Sequence, residues 1–89
     1  MLRIQRSFSG GVVFSLSGRI EAADMTELQR LLVLEVAGAK VTFDLRDITV
    51  VDSDAVKFLE GCEAATIKLE NCPAYIREWI DTERRGSKG

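Results

Sequence analysis

Two carboxylates and a hydroxyl lie side by side in segment 50–55, which reads Val-Val-Asp-Ser-Asp-Ala. The segment follows an alternating apolar run and precedes an amphipathic pattern, so it is predicted to turn from a strand into a helix. Free N–H groups and the positive end of the helix dipole favour acceptors and anions there. One interpretation is an N-cap, with Asp52 or Ser53 accepting a hydrogen bond from the first helical turn. The other is a surface switch or docking site.

We call residues 52–57 the corner. The chain has no histidine, so Ser53 lacks the usual partner that activates a nucleophile. Asp52 and Asp54 are close in sequence and do not form an acid–base pair across a cleft. Asp44, at the end of the predicted third strand, could approach Asp52, and such an acidic cluster could hold Mg²⁺ with a phosphate. The sequence favours binding over catalysis, with no cofactor and no resident metal.

The two cysteines, Cys62 and Cys72, are ten residues apart and have no histidine partners, so nothing resembles a zinc site. We interpret both as packing thiols, because a free cysteine behaves as a small apolar side chain. A redox pair is the alternative interpretation. Gly10-Gly11 is too short for a phosphate-binding loop and is predicted to form a hairpin turn.

The composition describes one small domain of 89 residues with a net charge of −2. That charge argues against a general nucleic-acid binder, which usually has a basic face. The longest apolar run, 31–34, is far too short to cross a membrane, and the N-terminus has no apolar signal region. We therefore expect a cytoplasmic protein with no direct membrane insertion.

Hydrophobic periodicity predicts four strands and three helices. The helices are expected over about 25–37, ending at Gly38, over 54–65, and after Asn71, the expected N-cap of the last helix. Asp24 and Glu27 are expected to open the first helix. The strands are expected at 2–8, 12–17, 41–45 and 66–70, with a connection at 46–49.

The predicted order is β-β-α-β-α-β-α. All four strands alternate apolar and polar residues, whereas a sheet covered on both faces has nearly continuous apolar strands. We therefore expect an α/β fold, a two-layer sandwich with a four-stranded mixed sheet and helices on one face. The other face is expected to be solvated or to pair with a second copy, as a homodimer. Residues 1–80 form the predicted domain and 81–89 a polar, flexible tail.

Tyr75 and Trp79 are four residues apart in the last helix, as are Ile76 and Ile80. One interpretation is that the aromatic side plugs the core. The other is a partly exposed binding surface, where tyrosine and tryptophan are enriched.

Two segments resemble the motifs of a known family. Segment 14–23, Phe-Ser-Leu-Ser-Gly-Arg-Ile-Glu-Ala-Ala, with Glu27-Leu28 after it, resembles a strand, a "GRLDAA" loop and a first helix. Segment 41–53, Val-Thr-Phe-Asp-Leu-Arg-Asp-Ile-Thr-Val-Val-Asp-Ser, resembles a strand that ends in Asp-Ser. Together the motifs resemble the STAS domain, named for sulfate transporters and anti-sigma factor antagonists, over about residues 8–80. The resemblance implies a small sheet with helices on one side.

The resemblance also implies a regulatory module whose corner docks a kinase-like anti-sigma factor and is released when a hydroxyl is phosphorylated. The usual family corner reads Asp-Ser-Ser/Thr-Gly, and its second hydroxyl is the acceptor. Here Asp54 and Ala55 replace that hydroxyl and the glycine. Asp54 is then a fixed mimic of the phosphorylated state, or Ser53 is the acceptor, or the corner is a permanent contact surface.

The expected docking corner comprises Asp52, Ser53, Asp54, Ala55 and Lys57. A second interaction surface is expected at Arg19, Glu21 and Asp24. Alternative roles are a STAS subunit of a lipid-transport ABC system and a purely structural or dimerisation module.

Overall fold

The computed structural model describes residues 2–8, 10–34 and 40–86. It has the expected order of elements, with a 3-10 turn added before the first helix. The elements are β1 Leu2–Phe8, β2 Val12–Ile20, the 3-10 turn Ala22–Asp24, α1 Met25–Leu34, β3 Val41–Val51, α2 Ser53–Ala64, β4 Lys68–Glu70 and α3 Ala74–Gly86. In the described part of the chain, no helix is long and apolar enough to cross a membrane.

The strands form one mixed sheet in the order β1-β2-β3-β4. β1 and β2 are an antiparallel hairpin, whereas β2–β3 and β3–β4 are parallel pairs. Each parallel pair is connected through a helix, as a parallel connection requires. The carboxyl ends of β2 and β3 therefore lie side by side, with Ile20 opposite Val51.

The core lies on the helix-bearing face of the sheet, as the alternation predicts. β2 contributes Val12, Phe14 and Leu16, and every second residue between them is only partly buried. The Phe43 ring of β3 lies 6.0 Å from the Phe14 ring and 6.3 Å from that of Phe58, measured between centroids. The two-layer sandwich with helices on one face is confirmed.

β3 is longer than the sequence predicts. Residues 46–49, expected to be a connection, belong to a strand of 11 residues. The register with β2 shifts between Ser15 and Ser17 and again between Gly18 and Arg19. Each irregularity leaves two successive β3 residues exposed, 46–47 and 49–50, and so breaks the period of two that marks a strand.

The start of α3 also differs from the prediction. Asn71 is not the N-cap: its φ is +54°, and its side-chain amide donates to Asp44 Oδ1 at 3.1 Å. The carbonyl of Pro73 instead accepts the first helical bonds, from the N–H groups of Ile76 and Arg77. Asparagine tolerates the left-handed conformation, which explains its place in the turn after β4.

The domain boundary predicted at residue 80 lies inside α3, which continues to Gly86. Ile80 is buried, and Arg84 in the next turns is hydrogen-bonded to Glu63 of α2. These contacts attach residues 81–86 to the domain. The predicted end of the first helix at Gly38 lies outside the described residues.

Candidate functional site

Asp52 is the N-cap of α2. Its φ and ψ, −103° and 179°, are extended, and its Oδ1 accepts from the N–H of Ala55 at 2.8 Å. Its other oxygen, Oδ2, accepts from the N–H of Ala22 at 2.9 Å. The bond from Ala55, followed by that from Ala22, lowers the pKa of Asp52, because both stabilise the carboxylate. The N-cap interpretation is confirmed for Asp52, and the carboxylate also makes a bond that a simple cap lacks.

The second bond of Asp52 joins two segments that are 30 residues apart in sequence. Ala22 begins the 3-10 turn after β2, so one carboxylate holds this turn against the start of α2. The N–H of Asp52 also donates to the carbonyl of Ile20 at 3.3 Å. The two motifs that resemble STAS sequences are thus in direct contact at the carboxyl edge of the sheet.

The exposed part of the corner consists of Ser53, Asp54 and Lys57. In the described structure neither Ser53 nor Asp54 has a side-chain hydrogen bond, so both are accessible on the first turn of α2. Ala55 is fully buried and contributes only its N–H, which donates to Asp52. Its side chain therefore faces the core and not a partner.

The expected second surface lies next to the corner. Arg19 and Glu21 are exposed, and Arg19 is the neighbour of Val50 in the parallel pairing of β2 with β3. Asp24 has a local role: its Oδ2 accepts from the N–H of Glu21 at 2.9 Å, so it caps the 3-10 turn and not α1. The bond from Ala22 to Asp52 brings Glu21, the neighbour of Ala22 in sequence, close to the corner.

In the apolar part of this surface, sequence reasoning missed Val50, whereas exposure of Tyr75 is one of the two interpretations of the last helix given above. Val50 is 45% exposed and Tyr75 is 47% exposed. The Tyr75 hydroxyl donates to the carbonyl of Thr49 at 2.8 Å, which brings the start of α3 beside the end of β3. The core contacts of α3 come from the buried Ile76 and Ile80 and from the partly buried Trp79, so only Tyr75 of the two aromatic residues is exposed. The sequence contains the information that exposes Val50. Successive residues of a strand face opposite sides of the sheet, so Val50 and Val51 cannot both face the core.

The structure does not bring Asp44 to Asp52. The two residues are eight positions apart along an extended strand, roughly 25 Å at 3.3 Å per residue. Asp44 Oδ1 accepts from the N–H of Arg46 at 3.0 Å and from Asn71, so local bonds engage it. Among the described residues, no three cysteine or acidic side chains are grouped to hold a metal ion.

Both cysteines are free thiols. Cys62 is part of the core, and burial raises its pKa to about 12. Cys72 packs against the core and is half-buried, which also raises its pKa. These environments stabilise the protonated, unreactive thiol.

A cavity of about 630 Å³ lies at the opposite end of the sheet from the corner. It is lined by Lys40, Val41, Thr42 and residues 65–68. The corner is an open surface remote from this cavity, which suits a macromolecular partner better than an enclosed small substrate.

No family model matches the chain, and no curated protein matches it. Among solved structures, the chain is similar to an uncharacterized protein of the DUF3478 family from Shewanella loihica PV-4, with a TM-score of 0.54 and 16% identity. That structure is described as having a SpoIIAA-like fold. The chain has a SpoIIAA-like fold. This is the fold of STAS domains and anti-sigma factor antagonists, as the sequence resemblance implies.

The similarity covers 76% of this chain and 61% of the Shewanella protein. The chain therefore matches less than two thirds of that protein's length. At this identity the comparison establishes the SpoIIAA-like fold alone.

Proposed function

We propose that the protein is a non-catalytic, cytoplasmic bacterial regulator that binds a protein partner through its corner. The observation that carries this proposal is the double hydrogen bond of Asp52, to Ala55 and to Ala22. It fixes two exposed segments relative to one another, and a preformed surface loses little conformational entropy on binding. Val50 and Tyr75 add exposed apolar area beside the charged residues.

The partner that we favour is a kinase-like anti-sigma factor, on the basis of the STAS resemblance. Asp54 takes the position of the family's phosphorylated hydroxyl and carries about one negative charge, against 1.5 to 2 for a phosphoserine. Because Asp54 is in the first turn of α2, the helix dipole stabilises its charge. We propose that Asp54 holds the corner permanently in one binding state.

Capture experiments should identify the partner and the role of residue 54. Wild type, Asp54→Ser and Asp54→Lys serve as baits for lysate of the source organism, followed by mass spectrometry. We expect a kinase-like ATPase whose recovery changes several-fold with residue 54, since charge reversal at an interface acts on both encounter and stability. Glu78→Lys, an equal charge change on the exposed face of α3, should leave recovery unchanged.

Other outcomes of the capture would redirect the proposal. A transporter ATPase would support the lipid-transport alternative. Identical partner sets for all baits would reduce the corner to a helix cap and favour a structural or dimerisation role.

Ser53 provides a second test, because its hydroxyl is exposed and has no hydrogen bond in the described structure. Incubation with the captured kinase and ATP should add no phosphate to wild type and should phosphorylate Asp54→Ser at residue 54. Mass spectrometry of the tryptic peptides locates the group. Phosphate on Ser53 of wild type would contradict a permanently fixed corner.

A further inference from the structure

β1 is a long, open edge of the sheet. It pairs with β2 along its seven residues and, within the described residues, with no strand on its other side. The opposite edge, β4, has three residues. An open edge presents a row of N–H and C=O groups to which another strand can pair. Phe8, at the end of β1, is 74% exposed, although it lies opposite the buried Val12 on the helix-bearing face.

We propose that β1 pairs antiparallel with β1 of a second copy, forming a two-fold symmetric dimer. The two four-stranded sheets then become one continuous sheet. In a two-fold interface the same surface meets itself, so β1 must be complementary to its own sequence.

A two-fold axis places one residue of β1 opposite its own copy. A register centred on Arg6 sets two arginines directly opposite each other, which is destabilising. A register centred on Ile4 leaves Ser7 and Phe8 without strand residues opposite them, and Phe8 stays exposed. Each of these two registers also leaves two residues at one end of β1 unpaired.

The register centred on Gln5 pairs the whole strand. No like charges are opposite, and the exposed Phe8 meets an apolar side chain of the second copy. Arginine also packs well over an apolar residue, because its stem is aliphatic. The opposing pairs, repeated twice by symmetry, are Leu2 with Phe8, Arg3 with Ser7 and Ile4 with Arg6. Sequence and exposure therefore fit a second copy of this chain in one register.

Substitutions at Ser7 test both the dimer and its register. Ser7 is exposed on the sheet face opposite the helices. Within a single chain, the new side chains of Ser7→Arg and Ser7→Asp therefore have the same solvent-exposed surroundings. In the Gln5-centred dimer each stands opposite Arg3 of the second copy, at two symmetric positions. We expect Ser7→Arg to weaken dimerisation roughly tenfold and Ser7→Asp to strengthen it, from the usual effect of charge pairs across strands.

Sedimentation equilibrium over a dilution series gives the dissociation constants, and light scattering gives the mass. Thermal unfolding of both variants establishes that each chain is folded. The proposal is supported if wild type is a dimer, Ser7→Asp has a smaller dissociation constant than wild type, and Ser7→Arg has a larger one. A wild type that is monomeric at every concentration overturns it. A dimer whose constant is the same in both variants also overturns it, because the interface then lies elsewhere.

Discussion

Replacing Asp52 with alanine is expected to lower the melting temperature by about 5–10 °C, the usual consequence of losing a helix cap in a domain of this size. The fall should reach the upper part of that range, because the same carboxylate also accepts from Ala22. Loss of that bond detaches the turn after β2 from α2. We therefore expect partner binding to weaken as well, although Ser53 and Asp54 are unchanged. Thermal unfolding followed by circular dichroism measures the first effect.

Asp54→Ala is the matched control, since Asp54 is an exposed aspartate two residues away without a side-chain hydrogen bond in the described structure. Its melting temperature should change much less. Asp52→Asn should fall between the two, because the amide has one acceptor oxygen for the two N–H groups of Ala22 and Ala55. Equal effects of Asp52→Ala and Asp54→Ala would mean that only the charge at the helix start matters.

The architecture was predictable because the alternation of apolar residues is a local property. Val12, Phe14 and Leu16 have a clear period of two, and a sheet with one buried face needs nothing more to orient them. The prediction failed where the pairing of strands becomes irregular. The exposed pairs 46–47 and 49–50 have a strand conformation that only the register with β2 explains.

The site was predictable only in part. An aspartate at the start of a helix indicates a cap, and Asp52 is one. Its bond to Ala22 depends on the parallel register of β2 with β3, which no local pattern encodes. Exposure of Tyr75 was one of two interpretations of the last helix, but its bond to the carbonyl of Thr49, 26 residues away in sequence, has no local signal.

Glu63→Gln is expected to reduce the free energy of unfolding by about 1–2 kcal/mol at neutral pH, somewhat above the value of an isolated surface ion pair. Glu63, in α2, accepts two bonds of 2.9 Å from the guanidinium of Arg77 and one of 2.6 Å from Arg84, both in α3. The Glu63 side chain is 28% exposed, so solvent screens its charge incompletely. These bonds, Arg77 foremost, lower the pKa of Glu63 from 4.5 to about 2. The substitution removes the charge that joins the two helices.

The pH dependence distinguishes this ionic contribution from simple packing. Because the folded pKa is depressed, the stabilisation is present above pH 4.5 and is lost as the pH falls from 4.5 towards 2. Urea unfolding of wild type and Glu63→Gln should therefore differ most near neutral pH and converge on acidification. Glu60→Gln, one turn earlier in α2 and without an ion pair in the described structure, should show no such convergence. A Glu63→Gln deficit that is constant from neutral pH down to about pH 3.5 would assign the loss to hydrogen-bond geometry, since an ionic contribution decreases below pH 4.5, where Glu63 of the unfolded chain takes up a proton and the folded carboxylate does not.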